Sequence, residues 1–143
     1  MDYQIITAII AAGAAIAVAV ISFYFNEKAK RRSEWQQKKF GHYQTLLKAL
    51  SELAVDGKDK RKANIDFSAA SNTVVLIASQ KVVTSLMAFH SEVKWENQSN
   101  FSPKRHDELL QELILAIRED IGLSKKDDSA TFDFHLIGTG PRK

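Results

Sequence analysis

Cysteine is absent from all 143 residues, which excludes disulfides, thiolate metal sites and a cysteine nucleophile together. Proline is nearly absent as well, with two in the chain and none from Asn26 to Val55, so nothing there forces a helix to break. Charge is missing from Ile5 to Phe25, twenty-one residues in a row that read IITAIIAAGAAIAVAVISFYF. The motifs of familiar chemistry are missing too: there is no HExxH, GxGxxG, GxxxxGK[ST] or GxSxG. His42, His90, His106 and His135 are scattered over four segments, which suits surface or edge positions better than ligands or bases. We therefore expect no catalytic residue, no metal and no cofactor, and a protein that is not an enzyme.

The uncharged run dominates what is present. As a helix it rises ~1.5 Å per residue and is about as long as the ~30 Å hydrocarbon core of a bilayer is thick. A cleaved signal peptide is the rival, and Ala17, Val18 and Ala19 do form a small-x-small site. The flanks oppose it: Asp2 precedes the run, whereas Lys28, Lys30, Arg31 and Arg32 follow it. A buried helix of a soluble domain is the other alternative, but apart from Tyr24 near its end only Thr7 and Ser22 carry polar side-chain atoms. The expectation is one transmembrane helix in a cell inner membrane, single-pass, with the N-terminus outside and the rest cytoplasmic.

Within the run, Ala8, Ala12, Ala15, Ala19 and Ser22 are spaced four, three, four and three, forming one stripe of small residues. Such residues let helix backbones approach closely in lipid, so the stripe is the expected face of a homo-oligomer. Gly13 with Ala17 offers a competing face, and chance spacing of a common residue is the plain alternative.

About 115 of the 143 residues remain for a cytoplasmic body, enough for one small domain. Their charge is lopsided. From Asn26 to Lys62 there are eleven Lys or Arg against five Asp or Glu, and from Ala63 to Lys143 nine against eleven. Basic residues just inside a membrane attract anionic lipid at ~1 kcal/mol each, and Lys28, Lys30, Arg31 and Arg32 suit that role. No nucleic-acid motif accompanies the charge, so a polymeric nucleic acid is not the expected partner.

The rest reads as helix. Tyr43, Leu46, Leu47, Leu50, Leu53 and Ala54 recur at three and four, as an amphipathic helix requires, with Gly41 as its weak point or hinge. Asp56 to Lys60 is a polar turn. The run TVVLI has the composition of a buried strand, but Phe67, Ala70, Val74, Ile77 and Ala78 fall on one helical side, and helix is the better reading. Ser79 is placed to cap a third helix with Val82, Leu86, Phe89 and Val93 on one face, ending near Trp95. Glu96 to Phe101 is a polar loop. Ser102 and Pro103 open a fourth helix whose buried stripe is Leu110, Leu113, Ile114, Ile117 and Ile121, and Gly122 stops it. In the tail Phe132, Phe134 and Leu136 alternate with Asp133 and His135, as in a short strand or a docked extended segment.

The fold class expected is all-α: a transmembrane helix over 1–25, a basic stalk over 26–42, a helical bundle over 43–122, and a linker with an extended tail over 123–143. Arg118, beside Glu119 and Asp120, can bind a phosphate or a partner carboxylate, against the alternative of a helix-surface ion pair. Arg142 and Lys143 close a tail, IGTGPRK, whose glycines and bases can cradle a phosphate, against the alternative of a frayed terminus.

ASQKVVTSLMAF and LILAIREDIG resemble a pattern in small uncharacterised bacterial single-span membrane proteins with a helical cytoplasmic domain. The layout of span, basic stalk and compact domain is similar to membrane-anchored effectors of bacterial antiviral defence, including type III CRISPR effectors that bind cyclic oligoadenylates. That resemblance implies a homo-oligomer whose bundle senses a nucleotide ligand or a protein partner and acts through the membrane helices. The alternative is a passive anchor or accessory subunit presenting a helical interaction module. No ligand-binding residue is carried over from the resemblance.

Overall fold

The computed structural model describes residues 3–55, 59–123, 127–134 and 136, and the side chains of all these except residues 4–12 and 95. Four α-helices follow in order: α1 Tyr3–Ala54, α2 Lys60–Ile77, α3 Gln80–Val93 and α4 Pro103–Asp120. A short 3-10 helix, Trp95–Asn100, lies between α3 and α4. Among the described residues there is no strand. The chain divides into two compact units, Met1–Gln37 and Lys38–Lys143, and α1 contributes to both.

In the first unit the membrane-spanning helix expected over Ile5–Phe25 is corrected. Among the described residues no helix is long and apolar enough to cross a membrane. Residues 13–25, the later part of the uncharged run, are exposed on α1. The same helix then runs on into Glu27, Lys28, Lys30, Arg31 and Arg32. Those charges keep the apolar length from growing at its C-terminal end.

The second unit is the expected helical bundle. Tyr43, Leu46, Ala49 and Leu50 of α1 share one core with Phe67, Ala70 and Val74 of α2, Val82, Leu86 and Phe89 of α3, and five residues of α4. Leu46, Val74, Val82, Leu86, Leu110 and Leu113 are fully sealed from solvent. The run TVVLI is helical because Phe67, Ala70 and Val74 need one face against this core, which an alternating strand would split between two faces.

Local chemistry fixes the ends of the helices. Asp59 accepts hydrogen bonds from the backbone N–H groups of Arg61 (3.0 Å) and Lys62 (3.1 Å), capping α2. Lys60 reaches back to the carbonyls of Leu53 (2.6 Å) and Val55 (2.7 Å) at the end of α1. Ser102 caps α4 by accepting from Arg105 N–H at 3.3 Å, with Pro103 at the first helical position. Gly122 takes a left-handed φ of 78°. Its N–H bonds Glu119 O and that of Leu123 bonds Arg118 O, the paired bonds that close a helix around such a glycine.

Glu96 to Phe101 is more ordered than the loop expected there. The Glu92 carboxylate accepts from Ser102 N–H (2.9 Å) and from Asn97 Nδ2 (3.3 Å), which draws the segment into 3-10 turns.

Gly41 lies inside α1 with the helix continuous through it, and a Cβ built there meets nothing within 4 Å. It is not a break in the backbone. Gly41→Ala removes freedom from the unfolded chain without a clash, so we expect about 0.5–1 kcal/mol of added stability, read as a higher urea midpoint.

Candidate functional site

The residues nominated from the sequence fall in both units, and only some of their side chains are described. Arg118 is half-buried on α4 and bonds Asp127 through Nε at 2.6 Å, with its guanidinium 5.8 Å from the Phe132 ring centre. Hydrogen bonding by Asp127, and then its charge, pushes the already high pKa of Arg118 higher. Glu119 is paired with Lys81. Arg142 and Lys143 lie outside the described residues, as do His135 and the whole IGTGPRK segment. Ala15, Ala19 and Ser22 are exposed in the first unit, while the side chains of Ala8 and Ala12 lie outside the described set. Lys28, Lys30, Arg31 and Arg32 are exposed.

Two of the remaining histidines pack against aromatic rings. His90 stacks on Phe67 at 6.5 Å between ring centres, and His106 packs beside Phe89 (5.2 Å) and Phe101 (5.8 Å) with Nδ1 2.9 Å from Asp107. His42 lines a shallow groove of ≈ 320 Å³ between α1 and α2 with Lys48, Glu52, Lys62 and Asp66. Its charges are of both signs, and Lys62 is already paired with Asp66 at 2.7 Å. Among the described residues no group of three His, Cys, Asp or Glu could hold a metal ion.

The most developed polar cluster is one that the sequence does not announce. Asp120, whose side chain is 8% exposed, accepts from Lys39 Nζ at 2.9 Å and from the Tyr43 hydroxyl. The Ser79 hydroxyl stands near it and also favours its charged form. Burial pushes the Asp120 carboxyl up, but the bonds from Tyr43 and Lys39, together with the Lys39 charge and the nearby Ser79 hydroxyl, outweigh that and hold it below the usual range. Burial, and then the bond to Asp120 and its charge, push the Tyr43 phenol far above its ordinary value. The phenol thus stays protonated and keeps donating.

Ser79 stands at the N-cap of α3 as expected, but its side chain makes no cap bond there. Its hydroxyl instead stands near Asp120 at the end of α4. The cluster is a brace: Lys39 and Tyr43 both spend their donors on one carboxylate.

Lys39 and Tyr43 escape sequence analysis because their partner is 81 and 77 residues away. The one available signal is their spacing of four, which puts a cation and a phenol on one helix face. No family model matches this chain, and neither a curated protein nor a solved structure matches it.

Proposed function

We infer that this is a non-enzymatic, membrane-attached and self-associating protein that presents a helical bundle to a partner. One observation carries the reading. Ile16, Val18, Val20, Ile21, Phe23, Tyr24 and Phe25 are each between 55% and 69% exposed. Successive positions on a helix point in all directions, so apolar surface surrounds this stretch and needs cover from lipid or from other copies. The exposed bases Lys28, Lys30, Arg31 and Arg32 follow it directly, as suits anionic headgroups. Ala15, Ala19 and Ser22 supply a face on which copies can approach closely.

Of the two roles weighed for the bundle, the interaction module is favoured over the nucleotide-triggered effector. Arg118, the base nominated for an anion, is engaged by Asp127 and Phe132, and the groove between α1 and α2 carries both signs of charge.

Flotation of the full chain with lipid vesicles tests the attachment. Replacing Lys28, Lys30, Arg31 and Arg32 together by glutamine should weaken binding to anionic vesicles on the order of a hundredfold or more, since each base contributes ~1 kcal/mol. Binding to neutral vesicles should hardly change. A full chain that floats with neither kind of vesicle refutes the attachment.

A further inference from the structure

After α4 the chain turns back. Four residues, 123–126, separate Gly122 from Asp127, and the described residues beyond, 127–134 and 136, are in neither helix nor strand. This segment starts from a local turn built on Asp128, whose backbone oxygen accepts from the N–H groups of Thr131 (3.2 Å) and Phe132 (2.9 Å). Its attachments to the bundle include specific side-chain contacts. Asp127 pairs with Arg118, the Phe132 ring lies under the same guanidinium, and Gln111 donates its side-chain amide to the Phe132 carbonyl. Phe134 and Leu136 are partly buried against the bundle core.

Gln111 and Arg118 stand two turns apart on one face of α4, with the half-buried Leu115 between them. This face therefore reads an extended strap by an acid and by an aromatic side chain with its carbonyl, while two further apolar side chains in alternation pack on the bundle core.

Such a strap is loosely held. Its apolar side chains are only half-buried, its ion pair is partly exposed, and no backbone ladder joins it to the helices, so opening it costs far less than unfolding the bundle. What leaves one bundle carries every feature that a second bundle reads. We propose that the α4 face is a docking site for the strap of a second copy, and that copies exchange the segment Asp127–Leu136. Exchange keeps every contact and changes only the donor, which makes it a low-cost route to association. Its extent rests on the self-association read above, because copies held together see each other's straps at a high effective concentration.

The absence of cysteine makes the test clean, since introduced thiols are the only ones present. Full-length Arg118→Cys and Asp127→Cys chains are mixed and treated with a short bismaleimide. A Ser68→Cys chain with Asp127→Cys serves as the control, and Ala15→Cys chains report association through the apolar segment. Exchange predicts a cross-linked heterodimer about tenfold above the control, as a strap in place beside Arg118 raises the local thiol concentration. Adding Phe132→Ser and Phe134→Ser to the Asp127→Cys chain should abolish the excess while circular dichroism shows the helices intact. If the Arg118→Cys/Asp127→Cys double variant cross-links only within itself and the mixed single variants give no excess, while Ala15→Cys chains cross-link, exchange is overturned and self-association stands. If Ala15→Cys chains also fail to cross-link, both are overturned.

Discussion

Leu113→Ala is expected to remove about 3–4 kcal/mol of unfolding free energy, the largest effect of any single truncation proposed for this protein. Leu113 is fully buried on α4 in a core to which all four helices contribute, so the void left by its side chain has walls on every side. Collapse around such a void is incomplete, and lost dispersion adds to the lost transfer energy. A domain of this size is stable by only ~5–15 kcal/mol, so the variant should melt far earlier in urea with an unchanged slope. Two neighbours calibrate the result. Leu115, half-buried on the same helix, should cost about 1 kcal/mol on truncation, and Leu123, 64% exposed, close to nothing. Equal losses at Leu113 and Leu123 would mean that the core is drawn wrongly.

That core was legible wherever the apolar period is local. Leu110, Leu113 and Ile117 were read from spacing alone, and all three are buried. Leu109 and Ala116 were not in the predicted stripe, yet they are 3% and 1% exposed. A helix flanked on two sides buries a wider arc than its own period outlines. Gly122 and Ser102 were legible for a different reason, since left-handed backbone and N-capping are settled within a few residues.

Where sequence analysis failed, the answer lay far along the chain or in a length. Nothing near Lys39 or Tyr43 points to Asp120, and nothing near Ser79 says that its hydroxyl will stand near a carboxylate on another helix. Likewise the uncharged run Ile5–Phe25 fixes an expectation of a span by counting, while the helix that carries it runs on into Glu27, Lys28, Lys30, Arg31 and Arg32, and no helix of the described residues is long and apolar enough to cross a membrane.

The second large effect is expected at Asp120. Asp120→Ala should cost about 3 kcal/mol at neutral pH, because it strands the Lys39 ammonium, 13% exposed, and the buried Tyr43 hydroxyl without their shared acceptor. The loss measures orphaned donors more than the worth of the pair. Replacing the cluster as a whole, with Lys39→Met, Tyr43→Phe and Asp120→Leu in one chain, should therefore bring stability back to within about 1 kcal/mol of the parent. If the triple variant is as unstable as Asp120→Ala, packing at that corner matters and the brace does not.

The pH dependence gives an independent reading with a definite sign. The folded Asp120 carboxyl titrates below its unfolded value, so the folded state binds the proton more weakly. Stability from this group is complete above the ordinary carboxylate pKa of about 4 and is lost as pH falls through the lower folded value. Asp120→Asn carries no titrating group there. The parent's advantage over Asp120→Asn in urea should be constant from pH 7 to about 5 and shrink steadily below about 4. A difference that stays flat down to pH 2 would mean that Asp120 is held by shape alone, without the charge that Lys39, Tyr43 and Ser79 are arranged to receive.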